Sequence, residues 1–159
     1  MNPEIIEKEL LVIGLETTSR EGSVADDVHA EGELAGKLNL PATIPNQIEK
    51  GAHLVLLWNF QPENDFQAMT AVAVTAVKVL PSVCRAYRFP MSEYAVFPIA
   101  GQMPNLVEPW PEIHAWYPKD RDINTTVIRK YNDAQLTGEL WLPMEPHLKP
   151  VLEARGTDA

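Results

Sequence analysis

The chain has 159 residues, of which 45% are hydrophobic and 22% are charged, as is usual for one globular domain. The formal net charge is −9 and no cluster of lysine and arginine occurs, so the sequence argues against direct binding to nucleic acid. Cys84 is the single cysteine, which excludes an intrachain disulfide and indicates a cytoplasmic location, and no apolar run is long enough to cross a membrane.

The first half of the chain is predicted to contain three strands and a helix. The apolar run 10–15 is the first strand, and a helix covers 28–38. Two further strands, 53–60 and 69–77, are joined by a polar turn. Alternation places four large side chains of 53–60 on one face: Leu54, Leu56, Trp58 and Phe60. In 69–77, three small side chains share a face with room above it: Ala71, Ala73 and Thr75.

The second half repeats this order of elements. Four strands are predicted, at 83–89, 94–99, 126–131 and 137–144. A short turn at 90–93 joins the first two strands, a helix covers 107–117, and the last two strands form a hairpin. The tail 146–159 is predicted to be frayed.

The recurrence of strand, helix and hairpin predicts an α+β fold. Two similar halves, about 8–80 and 81–145, are expected to pack about a pseudo-twofold axis within a single domain, 1–145. A cleft between similar halves is a common place for a ligand.

The last predicted strand carries a carboxylate beside an indole. Alternation puts Glu139 and Trp141 on one face and Leu140 and Leu142 on the other. A buried charge is costly unless it is paired, and a ligand cation lying over the aromatic ring would pair it. The alternative is that Glu139 lies at a rim and stays in water.

Five segments, in order, resemble one known family of domains. They are TIPNQI (43–48), ENDFQAMTAVAV (63–74), FPMSEYAVFPIAG (89–101), EIHAWYPKD (112–120) and GELWLPM (138–144). Together they resemble the effector-binding domain of AraC/XylS-type and MerR-type multidrug regulators, which is shared by the DNA gyrase inhibitor-like small-molecule-binding proteins.

The resemblance implies two β-α-β-β repeats with an antiparallel sheet, two helices and a ligand cleft between the repeats. It also implies that the ligands are cationic amphipathic small molecules, held by acids and aromatic rings. The expected ligand-binding residues are Glu139, Trp141, Trp58, Phe60, Tyr94, Trp110, Trp116 and Tyr131. No metal is expected, because the four histidines lack ligand spacing, and no cofactor is expected, because nucleotide-binding motifs are missing.

Three departures from the family pattern bear on function. Arg129 stands where the family often has a glutamate, and it would neutralise Glu139 if it faced the pocket. Ala73 replaces a usual glycine. Too few residues precede the domain for a helix-turn-helix, so we expect a stand-alone sensor of the kind found in integron cassettes. A homodimer, or a separate DNA-binding partner that would link the protein to transcription regulation, is left open.

Three functions therefore compete at this point. Binding without catalysis is favoured. A small hydrolase would use Glu139 as base with Tyr94 or Tyr131 as donor, but no clear nucleophile and base pair is visible. A protein-interaction role, such as gyrase inhibition, is compatible with the net charge of −9.

Overall fold

The computed structural model describes residues 3–20, 44–49, 51–58, 65–101, 107–116, 126–132, 137–145 and 148–156. These residues form strands β1 (Glu4–Arg20), β2 (Ala52–Trp58), β3 (Asp65–Ala73), β4 (Arg85–Ile99), β5 (Val127–Asn132), β6 (Thr137–Pro143) and β7 (Val151–Arg155), and one helix, α1 (Trp110–Trp116). The helix predicted at 28–38 lies outside the described residues.

The strands form a closed antiparallel barrel. Hydrogen-bonded neighbours follow the order β1-β3-β2-β5-β6-β4, and β4 returns to pair with β1. Six strands therefore close on themselves. β7 extends the sheet by pairing with the first four residues of β4, 85–88, where Arg88 lies opposite Val151. Closure gives each barrel strand a hydrogen-bonded neighbour on both sides along at least part of its length.

The predicted α+β fold of two β-α-β-β repeats with two helices is wrong, although the strands are antiparallel as predicted. The described residues are mostly strand, in a closed six-stranded barrel with one short helix. The physical reason lies in β1, which is 17 residues long and not the short run 10–15 that its apolar residues indicated. The backbone groups of its polar ends form hydrogen bonds with neighbouring strands just as those of its apolar middle do. A prediction based on hydrophobicity alone therefore underestimates the length of this strand.

A single strand replaces the predicted turn at 90–93. β4 runs without a break through Pro90, and its pairing with β1 shifts register between the pairs Lys8–Ser92 and Leu10–Phe89. One extra residue of β4 is accommodated there, which is a β-bulge. The bulge lets Phe89 and Tyr94, five positions apart, both point into the barrel. Proline is tolerated at bulges because no ladder donor is needed.

Alternation along each strand separates an interior from an exterior. The interior cluster is one continuous apolar core: Leu10, Val12, Leu54, Leu56, Trp58, Met69, Ala71, Phe89, Tyr94, Val96, Ile128 and Trp141. The predicted shared face of Leu54, Leu56 and Trp58 is part of it. Outside the barrel, Ile113 of α1 packs on a second cluster that includes Phe97 and Leu140.

The predicted C-terminal tail contains an ordered strand. Residues Val151–Arg155 form β7 and pair with β4. Beside this strand, Gly156 N donates to the carbonyl oxygen of Cys84 at 2.8 Å. The Cys84 side chain is buried in the outer cluster beneath β1 and β3, and burial raises the pKa of its thiol. It is a packing residue there, in agreement with its apolar sequence context.

Gly14 lies where β1 passes from one neighbour to the other, opposite Ala71 of β3 and Arg85 of β4. A Cβ atom at this position would lie 2.6 Å from the Ala71 Cα and would also meet the backbone oxygen of Thr70. Real Cβ atoms do not approach backbone this closely. The absence of a side chain at Gly14 is therefore needed for β1 to pair on both sides.

Gly14→Ala is expected to lower the free energy of unfolding by about 2 kcal/mol or more, because backbone atoms must move to admit the methyl group. Chemical denaturation followed by tryptophan fluorescence measures this change. Gly138→Ala is the matched control, since its Cβ would lie 3.1 Å from side-chain atoms of Ile99 and Tyr131, which can shift. Equal losses in the two variants would contradict the assigned role of Gly14.

Candidate functional site

A cavity of about 40 Å³ opens at one end of the barrel interior. Its apolar walls come from β1, β2 and β3, and its charged rim comes from β1, β5 and the segment 44–49. The lining residues are Lys8, Leu10, Ile48, Glu49, Ala52, Leu54, Ala73, Lys130 and Trp141. This volume holds about one water molecule, so a larger occupant has to displace side chains.

The segment 44–49 is fixed beside the end of β3. Asn46 adopts a left-handed conformation with φ of 63°, which asparagine tolerates better than most residues. Its carbonyl oxygen accepts a hydrogen bond from Thr75 N at 2.9 Å, and Ile48 N donates to Ala73 O at 3.0 Å. These bonds place the next residue, Glu49, at the mouth of the cavity.

Lys130 connects the acids of this rim. Its ammonium forms an ion pair with Glu49 and lies 3.9 Å from a carboxylate oxygen of Glu139, which is directly opposite on the neighbouring strand. Asn132 Nδ2 donates to the other oxygen of Glu49 at 3.2 Å. The Glu139 side chain is 44% exposed, so this acid lies at a rim and not in the interior.

Two lysine ammonium groups of the chain lie over the indole ring of Trp141. Lys8 Nζ lies 5.6 Å from the ring centroid, and Lys130 Nζ lies 5.9 Å from it. Both distances are within the range of a cation–π interaction. Among the described residues, no carboxylate forms an ion pair with Lys8. The rim therefore combines two lysines with two glutamates, and its charges balance.

A second, polar cavity of about 310 Å³ adjoins the first. It is lined by Glu49, Lys130, Asn132, Thr137, Gly138 and Glu139. Glu49 and Lys130 line both cavities, so their ion pair forms the wall between them. The side chains of Glu49 and Lys130 thus separate an apolar cavity, whose aromatic floor is the Trp141 ring, from a polar cavity that contains the acids Glu49 and Glu139.

Two polar atoms buried beside this floor lack partners. The Tyr94 ring lies 5.8 Å from the Trp141 ring, and among the described residues neither the Tyr94 hydroxyl nor Trp141 Nε1 finds a hydrogen-bond partner. Burial raises the pKa of Tyr94, so its hydroxyl stays protonated and can donate. Buried donors without partners are uncommon in proteins and are often satisfied by water or a ligand.

Away from the cavity, the described part of the barrel holds a polar cluster whose members bond to one another. Arg85 Nη1 donates to a carboxylate oxygen of Glu16 at 2.8 Å, and the Tyr87 hydroxyl contacts the other oxygen. Burial and the contact with Glu16 raise the pKa of Tyr87 to about 12. Trp58, a predicted ligand-binding residue, packs its ring edge-on to Tyr87 at 5.4 Å, away from the cavity lining.

The predicted site residues fall into two groups. Trp141 lines the cavity, Glu139 lines the adjoining polar space, and Tyr94 and Trp58 lie in the interior cluster. Trp110, Trp116 and Tyr131 lie instead on the outer face of the barrel, packed against the cluster beneath α1. Phe60 lies outside the described residues.

The outer position of Tyr131 bears on the hydrolase alternative. Tyr131 and Glu139 lie on adjacent strands but point to opposite faces, because Tyr131 is in register with Gly138. These two side chains therefore do not form an acid–base pair.

Arg129 also points outward and does not neutralise Glu139. Its guanidinium donates through Nε and Nη2 to Glu108, with the Nη2 bond at 3.2 Å, and Trp110 Nε1 donates to the same carboxylate at 3.0 Å. Burial pushes the pKa of Glu108 upward, but the hydrogen bonds and charge of Arg129 outweigh it, so the net pKa lies below its usual range. The basic residue that reaches Glu139 is Lys130.

Sequence reasoning missed Lys8, Glu49 and Lys130. Strand alternation contained a signal for Lys130, because it lies two positions from the interior residue Ile128 and opposite Glu139. The sequence did contain a signal for Ala73, because its small side chain was predicted to leave room above the sheet. Ala73 lines the cavity in the structure. Lys8 and Glu49 reach the site only through long-range pairing, which no local pattern indicates.

No described group of three His, Cys, Asp or Glu side chains is arranged to hold a metal ion. Among the described residues the helix α1 has 7 residues. No helix in that part of the chain is long and apolar enough to cross a membrane.

Residues 6–144 match the family described as Cass2, integron-associated effector binding protein. The chain belongs to this integron-associated effector-binding family. The match covers nearly all of β1 and every other barrel strand, so it includes both cavities. The predicted resemblance to effector-binding domains is thereby confirmed. No curated protein matches the sequence.

Solved structures share the fold of this family member. SAV2435 bound to tetraphenylphosphonium is 16% identical, with a TM-score of 0.64 over 90% of this chain and 93% of that one. A protein of Staphylococcus aureus MU50 described as a putative bacterial transcription regulation protein is 18% identical, with a TM-score of 0.63 over 90% and 97%. Integron cassette protein VCH_CASS2 of Vibrio cholerae is 22% identical, with a TM-score of 0.62 over 89% and 95%.

Glu108→Gln is expected to lower the free energy of unfolding by about 1 kcal/mol at pH 7, because Arg129 loses its charged partner. A carboxylate whose pKa is lowered on folding stabilises the fold above its unfolded pKa of about 4.3, and this contribution disappears as pH falls through the folded pKa. The difference from the parent protein should therefore shrink in acid. Denaturation curves at several pH values measure it.

Glu4→Gln, at an exposed position at the start of β1, serves as the control and should leave stability nearly unchanged. A difference between Glu108→Gln and the parent protein that stays constant down to low pH would contradict the ion-pair explanation.

Proposed function

We propose that the protein binds amphipathic small molecules with a cationic group, at the barrel end that has Trp141 as its floor. One observation carries the proposal, namely that an indole at the base of an apolar cavity is flanked by the carboxylates of Glu49 and Glu139. An aromatic face together with nearby acids is an arrangement that recognises organic cations. The apolar walls of Leu10 and Leu54 would take the body of the same ligand.

The ammonium groups already present support this assignment. Lys8 and Lys130 place positive charge over the Trp141 ring, and Lys130 does so while paired with an acid. The fold thus already holds cations at the position where the ligand's charge would lie.

The comparisons support the same class of ligand. The family is defined by effector binding, and SAV2435, which shares the fold, has a solved structure with the lipophilic cation tetraphenylphosphonium. Identity to SAV2435 is 16%, so this likeness bears on the fold, and the ligand class is carried to this chain only as a proposal.

Trp141→Phe is expected to weaken tetraphenylphosphonium binding about 3- to 10-fold, because phenylalanine offers a smaller and weaker cation–π surface. Isothermal titration calorimetry measures this without depending on tryptophan emission. Trp110→Phe, on the outer face, is the control and should bind as the parent protein does. Equal losses in both variants, or no loss in either, would place the binding site elsewhere.

Glu139→Gln is expected to lower affinity for tetraphenylphosphonium about 3-fold while leaving affinity for neutral triphenylphosphine oxide unchanged, since only the charged ligand loses an attraction at this half-exposed rim. The two titrations are compared at low and high salt. Glu93→Gln, an exposed acid of β4, controls for general surface charge. Unchanged affinity for the cation would remove Glu139 from the site.

A further inference from the structure

Lys130 contacts all three groups that a ligand cation would need. Its ammonium pairs with Glu49, lies 3.9 Å from Glu139 and lies 5.9 Å from the centre of the Trp141 ring. Lys8 contacts the ring but has no acid partner among the described residues. Lys130 is thus the side chain whose charge lies where the bound cation would lie.

Lys130 also limits the space that a ligand could enter. With Glu49 it lines both the apolar cavity of about 40 Å³ and the polar cavity of about 310 Å³. Movement of its side chain out of this wall would leave only Glu49 between the two cavities. The polar cavity alone already reaches the lower end of the roughly 300–1,000 Å³ found for small-molecule pockets, so a joined space would add an apolar end at Leu54 to the acidic end at Glu139.

The contacts of Lys130 are of a kind that can be exchanged. Its side chain is 23% exposed and that of Glu49 is 41% exposed, so water can replace either partner. A lysine ammonium is strongly hydrated and sits on a flexible stem of four carbons, which allows it to move into solvent. A lipophilic cation gives up less hydration when it leaves water for an apolar cavity than an ammonium does.

We infer that Lys130 is a specificity-determining residue that acts as a built-in competitor for the ligand's cationic group. A cationic ligand binds by displacing this ammonium from Trp141, and it then takes over the acids that Lys130 held. The inference rests on the proposed function, because it concerns the same cavity. It adds that the chain's own lysine sets both the affinity and the charge preference of that cavity.

Opposite effects on ligands of opposite charge are the signature of this role. Loss of the Lys130 charge should strengthen binding of a cation and weaken binding of an anion of the same size and shape. A lysine that only supported the fold would change both affinities in the same direction. Tetraphenylphosphonium and tetraphenylborate form such a matched pair of probes.

The experiment compares Lys130→Met with the parent protein by isothermal titration calorimetry with both probes. Lys130→Met should bind tetraphenylphosphonium about tenfold more tightly and bind tetraphenylborate more weakly, since one ion pair and one cation–π contact no longer compete with the cation. Lys130→Arg keeps the charge and should not gain affinity for the cation. Lys8→Met should give a smaller gain, because the acids remain paired with Lys130.

Lys78→Met removes the same charge at an exposed position outside both cavities and should bind both probes as the parent protein does. The inference is overturned if Lys130→Met binds the cation no more tightly than the parent protein, or if Lys78→Met gains equally. If the parent protein binds the cation in a Trp141-dependent manner while Lys130→Met is unchanged, only the inference fails. If no variant binds either probe, the proposed function fails with it.

Discussion

The structure depends on β1 pairing along both of its edges. Its C-terminal part pairs with β3 and its N-terminal part with β4, and the two ladders overlap at Val12, Ile13 and Gly14. A β-sheet twists in one sense, so a long strand that turns with it can bring the last barrel strand back to the first. Gly14 makes the overlap possible, because a side chain there would collide with the neighbouring backbone. Without this closure there is no enclosed interior.

Closure gives the interior two chemically different ends. Around its middle, residues such as Leu56, Met69 and Ile128 are fully buried and fill the space. At one end Glu16, Arg85 and Tyr87 satisfy one another. At the other end small residues such as Ala73 leave a cavity, and Tyr94 and Trp141 keep donors without partners among the described residues. Among the described residues, this asymmetry in packing and hydrogen bonding makes the end with the cavity the candidate site.

The charge of the candidate site differs from the charge of the whole chain. The protein carries −9, yet the rim of the cavity balances Lys8 and Lys130 against Glu49 and Glu139. A balanced rim does not attract a cation by net charge, so under the proposed function charge selectivity would depend on how the four side chains are paired. The overall negative charge acts at longer range, where it favours the approach of cations and is screened by salt.

Local patterns in the sequence were enough to predict which side chains share a face of a strand. Alternation predicted that Leu54, Leu56 and Trp58 share a face of β2, and that Glu139 and Trp141 share a face of β6. The described structure agrees with both, because alternation is a property of any strand. The five family-like segments led to the effector-binding family. The fold class was wrong, since the α+β prediction rested on local elements, whereas a closed barrel depends on the pairing of β1 with β4.

The composition of the site follows from the tertiary structure and not from local patterns. Trp110, Trp116 and Tyr131 were grouped with the pocket by residue type, but they lie outside the barrel, because an aromatic side chain serves an outer cluster as well as an inner one. Lys8, Glu49 and Lys130 meet at Trp141 although they are distant in sequence. Their meeting is set by strand register and barrel closure, which are long-range constraints that no local pattern of residues contains.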